Sequence, residues 1–325
     1  MSKGIEVNIS GTWKDVDEVY ANIAGTWKFI RYGYTRILGA WELFYNYNVN
    51  GFFAGGLGAS GTDGHISYID QTLTTQNSTS RGELTVERYG SGGVFGNFLG
   101  FFGGGYADPG NYLDVIDYIN RDTLSGNGSD KGNLSAINGR LTGVQGYTYG
   151  FFGGGASNLI DYIDISTTTG NATNRGARSV NKFASCGVSG KTYGFFIGGF
   201  TSNVIDYIAL IGTTGNATDR GDATVADFGR GGVSGPIYGF AGGGHGRPNI
   251  NVIDYIDLSL TTGNAIDRGD LSSARGDLAG SSGITYGFFG GGDPNVLDYI
   301  DNTLLTGNAS ACGTLDILQE NLAGI

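Results

Sequence analysis

Few side chains of this sequence could carry out chemistry, and most of them fall outside its regular pattern. The 325 residues include only two histidines, His65 and His245, and two cysteines, Cys186 and Cys312. A zinc centre needs several histidine or cysteine ligands at short, defined spacings, and the sequence has no such group. Two cysteines also cannot build a disulfide framework, so each is expected to be a small buried apolar residue. The sequence therefore predicts no metal and no cofactor.

Carboxylates are more numerous, but their arrangement does not favour catalysis. Residues that recur in every unit of a repeat are usually structural, whereas the paired carboxylates of a glycosidase are expected to interrupt it. The aspartates that recur at equivalent positions are Asp161, Asp206, Asp254 and Asp298. Calcium binding in loops is a weaker alternative, because the oxygen spacing of an EF-hand is missing. The aspartate pairs concerned are Asp219 with Asp222 and Asp267 with Asp270. We therefore predict that the protein is not an enzyme.

The residues with the best potential for binding lie in three segments that interrupt the repeat. These segments are longer than their counterparts, and they span residues 57–65, 106–114 and 245–251. Loops on a rigid scaffold are where binding residues concentrate, and aromatic and arginine side chains suit contact surfaces. The candidate ligand-contacting residues are Asp63, His65, Tyr106, Asp108, Tyr112, His245 and Arg247. The alternative is drift in loop length without a function.

An internal repeat supplies the elements that would position these loops. The motif G-F-[FA]-x-G-G begins at Gly51, Gly100, Gly150, Gly194, Gly239 and Gly287, at intervals of 44–50 residues. A tyrosine follows in all six copies, at Tyr68, Tyr118, Tyr162, Tyr207, Tyr255 and Tyr299. An asparagine lies nine residues beyond each tyrosine, at Asn77, Asn127, Asn171, Asn216, Asn264 and Asn308. Five residues further on lie Gly82, Gly132, Gly176, Gly221, Gly269 and Gly313.

Each copy of the repeat predicts about four short β-strands. In the last copy the strands are expected at 274–280, 285–292, 295–301 and 308–314. The third of them alternates apolar and polar residues, as a half-buried strand does, and Thr-Thr-Gly-Asn follows it in several copies as a turn. No segment shows a helical period with caps. Four strands in every 44–50 residues are the signature of a propeller blade, so the sequence predicts an all-β, six-bladed β-propeller.

The two ends of the repeat region predict how the ring closes. The first copy opens at Gly51 with its second strand and has no inner strand of its own. The final residues, ENLAGI at 320–325, match the inner-strand position of DLAG at 277–280. A strand from the C-terminal end can therefore complete the first blade, which would leave the ring without an open edge.

The repeat resembles a Kelch repeat. The order of ARGDLAG (274–280), TYGFFGGG (285–292) and NVLDYID (295–301) is that of the Kelch blade, although the usual tryptophan after the tyrosine strand is missing. Glycine and asparagine stand in that region instead, in TGNATDRGD at 214–222. This variant is similar to glycine-rich Kelch-like repeats in proteins of tailed bacteriophages, particularly marine and cyanobacterial ones. The resemblance covers residues 51–325 and implies a virion protein.

Residues 1–46 carry a different repeat, which predicts three β-hairpins in succession. Trp13, Trp27 and Trp41 recur 14 residues apart, each in a Gly-x-Trp sequence, and the segments between them alternate in the manner of strands. So short a segment cannot build a secure core alone. It resembles attachment regions of phage tail fibre and baseplate proteins, which implies that residues 1–46 bind other tail proteins. The alternative is a small sheet packed on the propeller, which is expected at residues 47–325.

Charge and hydropathy exclude several classes of partner. The formal net charge is −11, and all of the excess lies beyond residue 50, so nucleic acid and anionic membrane surfaces are poor partners. The N-terminus lacks the apolar run of a signal peptide, and no stretch is long enough to insert in a membrane. The expected location is a virion that is assembled in a host cytoplasm. Homo-oligomerisation through the tryptophan segment is an open expectation.

These observations favour a non-enzymatic structural protein of a tailed phage. The resemblance implies a tail fibre or tail-tip adhesin whose propeller binds a host-surface receptor, either a glycan or a protein. Two alternatives stay open. One is a decoration protein of the capsid or neck, and the other is a carbohydrate-active enzyme built on the same propeller.

Overall fold

A computed structural model describes the backbone of residues 5–9, 12–16, 20–23, 26–29, 32–37, 40–46, 49–108, 110–246 and 248–325, and the side chains from residue 49 onward within these ranges. The chain divides into two compact units, residues 1–49 and 50–325. All of the regular elements in the described ranges are β-strands, as the sequence predicts. Those ranges therefore contain no helix able to cross a membrane.

The first unit contains three two-stranded antiparallel hairpins, as predicted. Their strands are β1 (Ile5–Ile9) with β2 (Thr12–Val16), β3 (Tyr20–Ile23) with β4 (Thr26–Phe29), and β5 (Tyr32–Ile37) with β6 (Ala40–Asn46). The three tryptophans occupy the second strand of each hairpin, where Trp13 is opposite Asn8, Trp27 is opposite Asn22 and Trp41 is opposite Arg36. Whether they attach the chain to a partner stays a prediction.

The second unit is a six-bladed β-propeller, with four antiparallel strands in each blade. Blade 1 contains β7 (Asn50–Gly58), β8 (Gly61–Asp70) and β9 (Thr79–Glu83). Blade 2 contains β10 (Gly92–Phe95), β11 (Leu99–Ala107), β12 (Asn111–Asn120) and β13 (Ser129–Asn138). Blade 3 contains β14 (Leu141–Gln145), β15 (Tyr149–Gly154), β16 (Leu159–Asp164) and β17 (Thr173–Ala177). Blade 4 contains β18 (Cys186–Ser189), β19 (Tyr193–Gly199), β20 (Ser202–Ala209) and β21 (Thr218–Asp222). Blade 5 contains β22 (Gly231–Ser234), β23 (Tyr238–Gly244), β24 (Ile250–Asp257) and β25 (Ile266–Asp270), and blade 6 contains β26 (Ala279–Ser282), β27 (Tyr286–Gly290), β28 (Leu297–Asp301) and β29 (Ser310–Gly313).

The C-terminal strand closes the ring, which confirms the prediction made from the two ends of the repeat. Strand β30 (Ala323–Gly324) pairs with β7 and takes the innermost place in blade 1. Ile325 continues the ladder, since its N–H donates to the Phe52 carbonyl and its carbonyl accepts from the Phe52 N–H, both at 3.0 Å. The six innermost strands are therefore β30, β10, β14, β18, β22 and β26, and the closure gives blade 1 the same four strands as the other blades.

The core of the propeller lies between adjacent blades, because the Phe-Phe pair of the motif faces both sides of each sheet. Successive side chains of a strand point to opposite faces. In blade 1, Phe52 packs with Phe102 of blade 2, whereas Phe53 packs with Ala279 and Phe288 of blade 6. Five blades therefore bury one phenylalanine against each neighbour, and in blade 5 Ala241 takes the place of the second phenylalanine, which explains why the motif recurs as G-F-[FA].

The recurring asparagine and glycine of the repeat also join neighbouring blades. The side-chain oxygen of Asn127 accepts a hydrogen bond of 3.1 Å from the backbone N–H of Glu83 in the preceding blade. Asn77 makes the matching bond, of 3.0 Å, to Thr314 and so spans the junction between blades 6 and 1. At Gly82 a Cβ would lie closer than 3.0 Å to the Gly126 carbonyl, so only glycine fits beside the neighbouring blade.

A ring of six glycines closes around the propeller axis. Each lies in an inner strand, and a Cβ on any of them would lie closer than 3.0 Å to the carbonyl oxygen of the corresponding glycine in the preceding blade. The axial glycines are Gly93, Gly143, Gly187, Gly232, Gly280 and Gly324. The cavity along the axis is only about 80 Å³. This volume is below that of ordinary small-molecule sites. A ligand that needs a site of ordinary size therefore does not fit inside the channel and can bind only at one of its ends.

Candidate functional site at the channel mouth

One end of the central channel is surrounded by six residues in the left-handed backbone region. These residues lie three positions before each axial glycine, have φ values of 55° to 66°, and are hereafter called the mouth ring. The mouth ring consists of Gly90, Arg140, Ala184, Gly229, Asp277 and Asn321. Backbone hydrogen bonds of 2.8–3.2 Å link each mouth-ring residue to the next segment around the axis, for example from Gly90 N–H to the Asn321 carbonyl. Arg140 and Ala184 keep a conformation that costs an ordinary residue about 1–2 kcal/mol, whereas Asp277 and Asn321 adopt it more readily, and strained residues concentrate at functional sites.

Two further positions in each blade form a rim around the mouth ring. One is the residue directly before the mouth-ring residue, and the other follows the Gly-Gly of the repeated motif. Backbone hydrogen bonds join the two positions in blades 1, 2, 4 and 5, as between Tyr89 and Tyr106 or between Phe183 and Phe200. The six rim pairs, in blade order, are Glu320 with Leu57, Tyr89 with Tyr106, Gly139 with Ala156, Phe183 with Phe200, Phe228 with His245, and Gly276 with Asp293. The rim therefore varies between blades although the strands beneath it do not.

Aromatic rings cover the rim at blade 2. The rings of Tyr89 and Tyr106 stack with centroids 5.2 Å apart, and the ring of Tyr112 lies 4.3 Å from that of Tyr106. Burial raises the pKa of the Tyr106 hydroxyl, and its hydrogen bond with Tyr112 adds to the shift. The Tyr106 hydroxyl therefore stays protonated at neutral pH, and it lies at the mouth face, where a hydroxyl can donate and accept hydrogen bonds.

A second aromatic cluster covers the rim at blades 4 and 5. Phe183 stacks on Phe200 with centroids 4.9 Å apart, and Phe228 lies 5.3 Å from Phe200. The imidazole of His245 lies 5.1 Å from the Phe228 ring. Phe200 is 43% exposed, which is high for a phenylalanine that already has two aromatic neighbours. Exposed aromatic groups of this kind mark contact surfaces.

Carboxyl groups occupy the side of the mouth at blades 5, 6 and 1. Asp277 lies 3.4 Å from Nδ1 of His245, whose side chain is 44% exposed. Burial raises the pKa values of the Asp277 and Asp227 carboxyls, and the electrostatic field of His245 opposes both shifts. Burial also raises the pKa of Glu320, with repulsion from Asp277 adding to it. This half of the mouth therefore presents carboxyl groups that can accept hydrogen bonds from a ligand.

The residues predicted from sequence are only partly brought together. Tyr106, Tyr112 and His245 lie in the aromatic clusters of the mouth face. Asp108 lies in the blade 2 loop, and its Oδ2 accepts a 3.2 Å hydrogen bond from the Thr62 N–H of blade 1. Asp63 accepts a 2.8 Å bond from the His65 N–H. Arg247 lies outside the described residues.

His65 lies in the junction between blades 6 and 1, where its imidazole is engaged within the fold. Its residue is only 9% exposed, and Nε2 lies 2.7 Å from Oδ2 of Asp316. The other oxygen of Asp316 accepts a 2.7 Å bond from the Ser78 hydroxyl. In the next junction the corresponding link is different, because Thr85 donates to the carboxylate of Asp117. His65, which lies in an irregular segment of the repeat, is therefore part of the ring closure.

The His65–Asp316 pair predicts a pH-dependent contribution to stability. The hydrogen bond to Asp316 raises the pKa of His65, despite burial, and the charges of Asp316, Asp63 and Glu83 act in the same direction. Burial opposes ionisation of Asp316, but hydrogen bonds from His65 and Ser78 lower its pKa. A raised histidine pKa contributes stability that is complete below about pH 6.5 and is lost as the pH rises through the folded-state value. We expect the difference in free energy of unfolding between the unsubstituted protein and His65→Gln to shrink from pH 6 to pH 9.

Urea unfolding at several pH values measures this difference. Taking the difference between the two free energies of unfolding cancels the contributions of Asp227, Asp277 and Glu320, which both proteins share. The raised pKa values of these three groups also make stability fall as the pH rises. A difference that stays constant between pH 6 and pH 9 would contradict the prediction.

The remaining chemical predictions concern cysteines and metals. Cys186 and Cys312 are both buried and free, as predicted, and burial raises their pKa values to about 11 and about 12. The described residues contain no group of three histidine, cysteine or carboxylate side chains able to hold a metal ion. Asp219 uses a carboxylate oxygen locally, where it accepts a 2.8 Å bond from the Gly221 N–H.

Sequence reasoning missed most of the mouth residues. Arg140, Asp277, Phe183, Phe200 and Phe228 lie in or beside segments of ordinary length, whereas the prediction relied on loop insertions. A signal was present, because the residue three positions before each axial glycine varies from glycine to arginine, alanine, aspartate and asparagine. Its meaning depends on a left-handed conformation that the sequence alone does not display.

Comparison with models of known protein families finds no match for this chain. Comparison with curated proteins also finds no match.

Proposed function

We propose that this chain is a non-enzymatic binding protein that contacts a receptor on a cell surface through the mouth face of its propeller. The observation that carries this proposal is the contrast between a strictly repeated scaffold and a rim that differs in every blade. The rim positions carry aromatic pairs at blades 2, 4 and 5, small or acidic residues at blades 3 and 6, and a glutamate with a leucine at blade 1. Variation in the residues that one face of a rigid ring presents is typical of recognition.

Three properties of the mouth face favour a role in ligand binding over a role in stabilising the fold. The aromatic rings of Phe183, Phe200 and Phe228 contact one another while Phe200 stays 43% exposed. Strained left-handed residues persist at the mouth ring, although Gly90 and Gly229 occupy the same conformation without strain. Carboxyl and imidazole groups lie beside the rings and can fix the orientation of a ligand.

The biological setting follows from the resemblance of the repeat to Kelch-like repeats of tailed bacteriophages. In this setting the chain is a virion protein of the tail fibre or tail-tip type. Residues 1–46 bind other tail proteins, and the propeller binds a host-surface glycan or protein. The three hairpins of the first unit, with one tryptophan in each, suit the attachment role.

Immunogold labelling of virions with an antibody against the propeller tests the setting. Gold at the tail end supports the adhesin, whereas gold on the capsid or neck moves the chain to a decoration role.

Binding of the fluorescently labelled full chain to host cells tests the receptor function. We expect Phe200→Ala to lower cell binding severalfold, because the most exposed ring of the rim is removed. A matched control is Tyr147→Ala, since Tyr147 is 82% exposed and lies in the β14–β15 turn at the other end of the blade. Equal binding by both variants would contradict the use of the mouth face.

A carbohydrate-active enzyme is a second candidate, and the raised pKa values of Asp277, Asp227 and Glu320 favour it. A carboxyl group with a raised pKa is suited to act as a general acid in glycoside hydrolysis. Release of reducing ends from a purified host-surface glycan would support this candidate. Binding of the glycan without release of reducing ends would favour the non-enzymatic binding protein.

A further inference from the structure

We propose that the mouth face binds a carboxylated saccharide, with the guanidinium of Arg140 as the group that pairs with the ligand's carboxylate. This inference rests on the proposed function, because it names the chemical class of receptor that the mouth face recognises. The ligand lies across the mouth ring, between the aromatic clusters of blades 2 and 4.

Arg140 differs from every other arginine whose side chain the structure describes. Some of the others form buried ion pairs, such as Arg88 with Asp117 at 3.1 Å. Others donate to backbone carbonyls of the neighbouring blade, as Arg175 does to Gly212. Within the described residues, the guanidinium of Arg140 makes neither a hydrogen bond nor an ion pair. Its N–H donors are thus available for a planar anion, which guanidinium groups bind in a two-pronged manner.

The surroundings of Arg140 hold its guanidinium in place without satisfying it. The guanidinium carbon lies 5.3 Å from the centroid of the Phe183 ring. On the other side the ring of Tyr106 covers Gly139, because a Cβ at that glycine would lie closer than 3.0 Å to the ring. An arginine that stacks on an aromatic ring loses less conformational freedom when it binds a ligand. The aromatic faces beside it offer flat apolar surfaces of the kind that sugar rings can stack against.

The backbone at Arg140 gives an independent reason to assign it a role. Its φ of 57° places an arginine where the equivalent residues Gly90 and Gly229 are free of strain. Glycine would therefore fit this position and stabilise the propeller. Keeping arginine costs backbone strain, while its guanidinium contacts the Phe183 ring but makes no hydrogen bond with the described residues, which fits a residue kept for a ligand.

The opposite side of the mouth ring suits the hydroxyl groups of the same ligand. Asp277 lies three positions around the ring of six from Arg140, and the adjacent position is Asn321. Their carboxyl and amide groups can accept and donate hydrogen bonds to sugar hydroxyls. The chain carries a net charge of −11, so the overall electrostatic potential of the protein repels an anion. Binding of a carboxylate therefore depends on the local guanidinium.

Calorimetric titration of the full chain with uronic acid oligosaccharides tests the proposal. The probes are oligomers of galacturonic, glucuronic and mannuronic acid, each paired with its carboxyl-reduced neutral counterpart. We expect at least one acidic oligomer to bind, and its neutral counterpart to bind at least about tenfold more weakly, since the charge-assisted hydrogen bonds to the guanidinium are lost. Arg140→Gly is expected to lower affinity for the acidic oligomer by a similar factor and to leave affinity for the neutral one unchanged.

Arg140→Gly has the advantage that the fold accommodates it, so loss of binding cannot come from unfolding. The matched control is Ala184→Gly, which relieves the same backbone conformation without removing a charged group. Both variants are expected to melt at or above the temperature of the unsubstituted protein. Failure of all acidic oligomers to bind, equal binding of neutral and acidic forms, or unchanged affinity in Arg140→Gly would overturn the proposal. If the chain binds cells but uronic acid oligomers do not compete with that binding, this inference is refuted and the proposed function stands. If the chain does not bind cells at all, the proposed function itself is refuted.

Discussion

Alanine in place of Gly143 is expected to lower the free energy of unfolding by about 3 kcal/mol or more. A Cβ at this position would lie closer than 3.0 Å to the Gly93 carbonyl and to a methyl group of Val94. Both neighbours belong to an inner strand that is fixed in the axial ring, so the backbone cannot yield without moving an adjacent blade. Adding atoms to a close-packed interior typically costs 1–3 kcal/mol, and the cost is larger where backbone is the obstacle.

Urea unfolding of Gly143→Ala measures the effect, and Gly212→Ala is the matched control. At Gly212 the nearest atom to a new Cβ is the end of the Arg175 side chain at 3.5 Å, which is ordinary contact. Neither glycine has a positive φ, so both substitutions are compatible with the backbone. The control is expected to be unchanged or up to about 1 kcal/mol more stable. Equal stability of the two variants would show that the axial ring tolerates side chains and would refute the close approach of the inner strands.

Removal of the Asp254 carboxylate is expected to cost about 3–5 kcal/mol, because it leaves Arg230 charged and buried without its partner. The two groups are 2.8 Å apart, and each side chain is 1% exposed. Asp254 also accepts hydrogen bonds from the backbone N–H and hydroxyl of Thr224 in the preceding blade. The equivalent aspartates of blades 2, 4 and 6 also pair with a buried arginine, although the arginines do not all come from the same position of the repeat.

The propeller contains a natural control for this experiment. Asp161 occupies the same position in blade 3 and accepts the same two bonds from Ser135, but no arginine pairs with it among the described residues. Asp161→Ala is therefore expected to cost only about 1–3 kcal/mol, from its lost hydrogen bonds. Denaturant titration of Asp254→Ala and Asp161→Ala compares the two. A difference near zero would mean that Arg230 finds other partners and that the ion pair does not stabilise the blade.

The matching residues at blade 1 show how the ring closure departs from the repeat. Ser67 stands in blade 1 where the other blades have this aspartate, and the junction instead uses Asp316 with His65 and Ser78. Cys312 likewise stands where the other outer strands carry a lysine or arginine that bonds to the next blade, as Arg220 does to Gly263. The junction between blades 6 and 1 keeps the asparagine bond of the other five but uses different side chains at these two positions, which is why the pH dependence expected for His65 is specific to the closure.

The sequence by itself determined the fold to a large extent. Six copies of one motif predicted six blades, the alternation around each tyrosine predicted strands, and the match of residues 320–325 to an inner strand predicted the closure. These inferences succeed because they depend on local patterns, that is, side-chain periodicity and turn residues, which the chain carries in its own order. The recurring asparagine and glycine were equally visible, since every blade repeats the same contact with its neighbour.

Only the tertiary structure decided which residues meet at the channel mouth. Arg140, Phe183 and Asp277 are far apart in the sequence, and they come together because the ring brings the start of every inner strand to one axis. His65, in contrast, looked like a loop residue but is held by Asp316, which lies at the other end of the repeat region. Contacts across a closed ring depend on the position of each blade around the axis, and no local pattern encodes that position.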